Sequence, residues 1–99
     1  MVVLVARTRI VPDHRAETYE LFQAMLAPSQ AEGGCISYEF YVSPDDPDYT
    51  VFVEEWESYE ALQAHFETPH FLNFVAQTER FLEQSPDVRI YEVARMLGD

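Results

Sequence analysis

The residues best suited to acid–base chemistry lie between positions 54 and 74, a stretch that reads EEWESYEALQAHFETPHFLNF. Within it, His65 follows Ala61 by four positions and Leu62 by three, which predicts a place on the inner face of a short helix. A neutral imidazole can take up a proton near pH 7, so His65 is the candidate general base. A hydrogen-bonded core histidine is the alternative, and the spacing alone leaves both interpretations open.

Trp56 and His70 flank this candidate base along the chain. Trp56 ends a predicted strand on the same face as Phe52 and Glu54, where its indole would close one end of the core and its N–H would need a partner. His70 lies just after a predicted helix start, where the positive end of the helix dipole disfavours a charged imidazole. Each of these two residues could have a purely structural role, and each could instead line a pocket.

The positions of the three histidines do not indicate a metal site. His65 and His70 are five positions apart with a helix break between them, whereas helical zinc ligands are about four apart, with a third ligand in register. His14 lies in a distant loop, and no glutamate has a recognisable ligand spacing. The lone Cys35 cannot supply a thiolate cluster, and three glycines are too few for a glycine-rich phosphate loop. We therefore expect no metal and no cofactor.

The charged side chains have a structural interpretation. The pair Glu54-Glu55 is expected to be solvated or paired with arginine, not to act as a catalytic carboxylate dyad. Arg7 and Arg9 share one face of the first predicted strand, and the arginines of the first and last strands are expected to pair with glutamates. The alternative is that an arginine anchors an acidic or enolate oxygen of a substrate.

The composition excludes several classes of partner. The 99 residues include 18 acidic and 6 basic side chains, for a net charge of −12. Nucleic acid and anionic membrane surfaces are therefore not expected as partners, because they would repel a negatively charged protein. A hydrophobic content of 47% and an aromatic content of 14% exclude a disordered chain.

We expect one domain over residues 1–99. The apolar run at 1–6 is too short for a signal peptide or a membrane span, and we expect a cytoplasmic protein.

These residues must be positioned by a small α+β domain. Hydrophobic alternation predicts strands at 1–11, 35–42, 49–57 and 88–95, and helical periodicity predicts a helix from 14 to 32. A second helix is broken in two, with starts at Ser58 and at Thr68-Pro69. The order β-α-β-β-α-β predicts a ferredoxin-like split βαβ fold, a four-stranded antiparallel sheet with helices on one face. The second strand is expected to direct four apolar side chains to one face, namely Ile36, Tyr38, Phe40 and Val42.

Both faces of this sheet are apolar. In the first strand Val2 and Leu4 lie on one face, and Val3 and Val5 lie on the other. The helices cover a single face, and the other would expose more apolar surface than a soluble monomer usually does. We therefore expect a two-fold homodimer joined sheet to sheet.

A longer motif brings these features together, and it resembles that of a known family. The motif is Glu55-Trp56-Glu57-Ser58, then Leu62, Ala64-His65 and Thr68-Pro69-His70, with Ala6, Arg9, Glu32-Gly33 and Cys35 before it. It is similar to the antibiotic biosynthesis monooxygenase (ABM) domain, most of all to the bacterial quinol monooxygenase branch. The resemblance spans essentially the whole chain, and the motif is more specific for the superfamily than for a substrate.

The resemblance implies a dimeric α+β barrel with a hydrophobic pocket between helices and sheet. Members of this type oxidise quinols or polycyclic phenols with molecular oxygen, without metal, flavin or nicotinamide. The protein must bind an electron-rich aromatic, deprotonate it and exclude water. His65 is then the expected base, and the expected pocket residues are Trp56, Phe74, Phe52, Tyr38, Phe22 and His70.

The chain departs from two branches of the family. Phe52 and Leu62 stand where polyketide-tailoring members have an Asn and a Tyr, so their substrate and proton relay are not expected here. Val75 stands where haem-degrading members have an axial His, so haem is not expected. A small sugar-phosphate isomerase has a similar H-x-x-x-P-H stretch. An isomerase or lyase acting on a small oxygenated substrate, or a non-enzymatic ligand-binding dimer, therefore remains as an alternative.

Overall fold

The computed structural model describes residues 1–98 and has the predicted element order. Its strands are β1 (Val2–Arg9), β2 (Cys35–Val42), β3 (Tyr49–Trp56) and β4 (Asp87–Glu92). Its helices are α1 (Arg15–Ala24), α2 (Leu26–Gln30), α3 (Tyr59–Phe66) and α4 (Pro69–Thr78), with short 3₁₀ turns at Pro12–His14 and Glu79–Phe81. The ferredoxin-like α+β fold is therefore confirmed.

The four strands form one sheet in the order β2-β3-β1-β4, and all neighbouring pairs are antiparallel. Alternate residues of β3 are buried under the helices, from Thr50 through Phe52 and Glu54 to Trp56. The intervening residues Val51 and Val53 lie on the outer face and are half-buried. This alternation is what the sequence pattern predicts for a sheet covered on one face by helices.

The predicted helix over 14–32 is wrong in its continuity, because the chain forms two helices that meet at Met25. Pro28 explains the break. A proline has no backbone N–H, and its ring would clash with the carbonyl of residue 24 in an uninterrupted helix. The last strand is also shorter than predicted, ending at Glu92. Glu92 pairs with Val2, the first residue of β1, so the partner strand ends there.

Two predictions about β2 and the arginines are wrong. A register shift between Cys35 and Ser37 takes Ile36 off the face that it was predicted to share with Tyr38 and Phe40, and this side chain is exposed. A bulge of this kind breaks the period of two on which the prediction rested. Arg9 pairs with Asp46 at 2.7 Å, an aspartate of the β2–β3 loop, and not with a glutamate.

Helix starts follow the predicted caps. The Ser58 hydroxyl accepts a hydrogen bond from the backbone N–H of Ala61 at 3.1 Å, and the Thr68 hydroxyl accepts one from Phe71 at 3.2 Å. These bonds satisfy N–H groups that the first helical turn leaves free. Within residues 1–98, no helix has both the length and the apolar character needed to cross a bilayer.

Candidate active site

A cavity of about 500 Å³ lies between the inner face of the sheet and the helices. Strands β1 to β3 form its floor, α1 and α4 supply walls, and the segment before β4 lies at one side. Its walls are mainly apolar and include five phenylalanines, which are Phe22, Phe52, Phe66, Phe71 and Phe74. Its volume is in the range typical of small-molecule sites.

Four of the residues predicted to line a pocket border this cavity, namely Phe22, Tyr38, Phe52 and Phe74. Phe22 lies edge-on to Phe52, with ring centroids 5.0 Å apart, and Phe52 lies 6.0 Å from Phe74. Edge-to-face packing of this kind fixes the rings and presents both faces and edges to a ligand. Burial raises the pKa of Tyr38 well above its ordinary value, so this phenol stays protonated.

The other three predicted site residues lie outside the cavity walls. Trp56 and His65 are fully buried, and their ring centroids are 4.9 Å apart. His65 packs against Phe71 and Phe66, whose side chains border the cavity. The predicted inward orientation of His65 is confirmed, but the ring lies behind the aromatic wall.

Glu54 is an ionisable group whose burial the sequence prediction missed. It was expected to be solvated or paired with arginine, and that expectation is wrong, because only 5% of the residue is exposed and it borders the cavity. Its position two residues from both Phe52 and Trp56 was the available signal, since alternate residues of a strand face the same side. The cavity therefore contains a carboxyl group among aromatic rings.

The indole of Trp56 fixes this carboxyl group. Its Nε1–H donates a hydrogen bond of 3.0 Å to Oε1 of Glu54, and this bond supplies the partner that a buried indole needs. Burial raises the pKa of Glu54 to about 7, while the indole hydrogen bond acts in the opposite direction. A carboxyl group with a pKa close to neutrality is suited to taking up and releasing a proton.

His65 and His70 share a partner that the sequence did not reveal. Nδ1 of His65 lies 2.6 Å from Oε2 of Glu32, and Nε2 of His70 lies 2.7 Å from the same oxygen. Burial lowers the pKa of His65, and the hydrogen bond to Glu32 opposes that effect. The helix break between the two histidines does not keep them apart, since their ring centroids are 5.9 Å from each other, and the Glu32 that they share comes from a turn 33 residues before His65.

Two local features bring Glu32 to these rings. Gly34 has a φ of +85°, and a Cβ added there would lie 2.6 Å from the Cβ of Ala61 in α3. The turn that carries Glu32 can therefore approach α3 only with glycine at this position. At the other end of α3, the Thr68 hydroxyl donates to the backbone carbonyl of His65 at 2.7 Å, which links α3 to the start of α4.

Comparison with known proteins gives a consistent result. The family model described as "Antibiotic biosynthesis monooxygenase" matches residues 1–77. "Putative monooxygenase Rv0793" of Mycobacterium tuberculosis is 37% identical over 89 residues, which cover 90% of this chain and 87% of that protein. The solved structure of Rv0793 has a TM-score of 0.91, with 34% identity, and covers 98% of each chain.

Two other relatives extend this comparison. "Probable quinol monooxygenase YgiN" of Escherichia coli (strain K12) is 32% identical over 77 residues, covering 70% of this chain and 74% of that protein. Protein sll1783 of Synechocystis sp. is 34% identical over 93 residues, which cover 94% of this chain but 63% of the relative. The chain thus spans less than two thirds of the length of sll1783. Family and relatives support a monooxygenase-type function, and the chain belongs to the antibiotic biosynthesis monooxygenase family.

Proposed function

We propose that this protein is a cofactor-independent monooxygenase that oxidises a quinol or related electron-rich aromatic with molecular oxygen. One observation carries the proposal: Glu54, a carboxyl group with a pKa of about 7, borders a cavity otherwise walled mainly by aromatic and aliphatic side chains. The name of the relative YgiN supports a quinol as the substrate class.

In this proposal Glu54 takes the proton of the bound phenol. Oε1 accepts the hydrogen bond from the Trp56 indole, which leaves Oε2 for the substrate hydroxyl. His65, the base expected from the sequence, lies behind the cavity wall, so Glu54 replaces it in that role. His65 is then a positioning residue, because its ring packs on the indole that holds Glu54. A positioned base contributes roughly 10²–10⁴-fold to such a proton transfer.

Deprotonation makes the substrate itself the reductant. A phenolate can pass one electron to triplet oxygen, whereas a neutral phenol does so poorly. The ring then gains one oxygen atom at carbon, and the second oxygen atom leaves as water. A quinol converted to a hydroxyquinone supplies all four electrons of this reduction, so neither an external reductant nor a cofactor is required.

The cavity walls provide the remaining requirements. Phe22, Phe52 and Phe74 lie at edge-on or tilted angles to one another, which leaves aromatic surface for stacking a planar substrate. Apolar walls also exclude water, which strengthens the hydrogen bond between the carboxylate and the phenol and limits the loss of reactive intermediates.

The same proposal includes a homodimer joined through the outer face of the sheet. Val3, Val5, Val51 and Val53 form an apolar patch on that face, and Val5 is directly paired with Val53. The helices lie on the opposite face, and no element formed by residues 1–98 of one chain covers this patch. A second copy of the sheet would bury it, as expected for an isologous two-fold interface.

Oxygen consumption with a panel of hydroquinones and naphthohydroquinones tests the function. We expect uptake above the uncatalysed rate for at least one quinol, with one atom of ¹⁸O₂ recovered in the product. Absence of uptake with every quinol would contradict the proposal. Turnover that proceeds equally well under nitrogen would instead support an isomerase or lyase, and ligand-induced stabilisation without turnover would support a binding protein.

A further inference from the structure

We propose that Glu32, His65 and His70 form a binding site for one divalent transition-metal ion of the Zn²⁺ class, separate from the cavity. Each residue offers one donor atom, and the three donor atoms lie within 4.8 Å of one another. Glu32 and His70 are partly accessible, while His65 is fully buried. An ion can therefore enter from the side of Glu32 and His70 and bind Nδ1 of the buried His65.

The distances suit an ion with bonds of about 2.0–2.2 Å to nitrogen and oxygen. The carboxylate oxygen lies 2.6 Å from Nδ1 of His65 and 2.7 Å from Nε2 of His70. Donor atoms around a tetrahedral ion are about 3.3 Å apart at those bond lengths. The two ring nitrogens are within 4.8 Å of each other, so they would have to approach to about 3.3 Å while the flexible Glu32 side chain retreats by less than about 1 Å to make room for the ion.

The donor set determines the class of ion. Two imidazole nitrogens and one carboxylate oxygen suit Zn²⁺, Co²⁺, Ni²⁺ or Fe²⁺, whereas Ca²⁺ and Mg²⁺ prefer oxygen ligands throughout. Three protein ligands leave one tetrahedral position for water. The net charge of −12 adds a general attraction for cations.

The protons of the two rings can make way for the ion. Each ring nitrogen that faces Glu32 must release its proton to the other nitrogen of its ring, since a metal binds the lone pair of a neutral imidazole. In His65 that other nitrogen is Nε2, which is buried and has no hydrogen-bond partner within residues 1–98. It can therefore accept the proton without breaking an existing hydrogen bond.

The ion would join three segments of the fold. Glu32 lies in the turn after α2, His65 in α3, and His70 in the first turn of α4. Because α4 supplies a wall of the cavity, a bound ion would hold that wall against α3 and the turn that carries Glu32. Its role would be structural, since His65, His70 and Glu32 lie outside the cavity walls.

Calorimetric titration of chelator-treated protein with Zn²⁺, repeated with Co²⁺ by visible absorption, tests this site. We expect one ion per chain with a dissociation constant below about 10 µM. We also expect His70→Ala and Glu32→Gln to weaken binding by at least about tenfold, because the first removes one of three ligands and the second replaces a carboxylate with a neutral, weaker amide oxygen. The matched control is His14→Ala, since His14 pairs with Glu17 at 3.0 Å on the surface and, among residues 1–98, belongs to no group of three possible metal ligands.

The readout does not depend on enzymatic activity, so failure of the proposed reaction would leave this test intact. Circular dichroism of each variant establishes that it is folded before titration. No saturable binding by folded wild-type protein would overturn the proposal. Unchanged affinity in His70→Ala and Glu32→Gln would overturn it as well, as would an equal loss of affinity in His14→Ala.

Discussion

The indole Nε1–H of Trp56 donates to Oε1 of Glu54, two residues earlier on the same strand, over 3.0 Å. Both side chains lie on the inner face of β3, and both are almost completely buried. The bond therefore fixes a carboxyl group inside the aromatic cavity. It also counteracts, in part, the effect of burial on the pKa of that carboxyl group.

Trp56→Phe should raise the pKa of Glu54 above its wild-type value of about 7. The substitution keeps an aromatic ring but removes the N–H that stabilises the charged carboxylate, so burial acts without opposition. A carboxyl-carbon NMR titration measures the pKa directly in both proteins. An unchanged or lower pKa in the variant would contradict the role assigned to the indole. Tyr59→Phe, at an exposed aromatic residue, is the control.

Glu54→Gln should remove a specific pH dependence of folding. Burial raises the pKa of Glu54 from 4.5 to about 7. Between these values the folded protein keeps a proton that the unfolded chain releases, so this contribution to stability is lost as the pH rises through that window. The stability of the variant relative to wild type should therefore improve from pH 4.5 to pH 8, by up to about 3 kcal/mol.

Urea unfolding of both proteins at several pH values, at one protein concentration, measures this difference. Glutamine can still accept the indole hydrogen bond, so the comparison isolates the ionisation of one carboxyl group. A difference in unfolding free energy that stays constant with pH would show that Glu54 titrates normally.

Gly34→Ala should destabilise the fold by at least about 2 kcal/mol, from the left-handed backbone conformation and the clash with α3. The added Cβ would lie 2.6 Å from the Cβ of Ala61. Gly33→Ala is the matched control, because a Cβ at Gly33 would meet no atom of residues 1–98 within 4 Å. Chemical denaturation of the two variants measures the contrast, and equal stabilities would refute the close approach of this turn to α3.

Val53→Asp should convert the proposed dimer into a folded monomer. The substitution introduces a charge beside Val5 in the apolar patch on the outer face of the sheet. Dimer formation would bury this charge without a partner of opposite charge, which is costly. Sedimentation should give twice the chain mass of 11.5 kDa for wild type and a single chain mass for the variant. Ala64→Asp, on the exposed side of α3, should remain dimeric. Wild-type protein that sediments as a monomer at micromolar concentration would refute the proposed interface.

The sequence predicted the sheet and the orientation of its side chains well, because alternation and helical spacing are local properties. It placed Phe52, Glu54 and Trp56 on one face of β3, and it placed His65 on the inner side of α3. The helix break at Met25 was missed because the periodicity of the apolar residues continues past it, although Pro28 marks the break.

The chemical environment of the site could not be predicted in the same way. Carboxylates are usually exposed, and the prediction followed this tendency although the alternation of β3 places Glu54 on the same face as Phe52 and Trp56. Glu32 reaches His65 through a turn that depends on Gly34 and on the packing of that turn against α3. No spacing along the chain records such a contact, since it joins segments 33 residues apart.

Oxygen uptake by Glu54→Gln tests the proposal that Glu54 takes the substrate proton in the cavity. With a quinol that wild type oxidises, we expect the variant to lose roughly 10²–10⁴-fold in rate. Glu60→Gln, at an exposed position of α3, should match wild type. Uptake by folded Glu54→Gln within about twofold of wild type would contradict the claim, because a positioned base contributes far more than that.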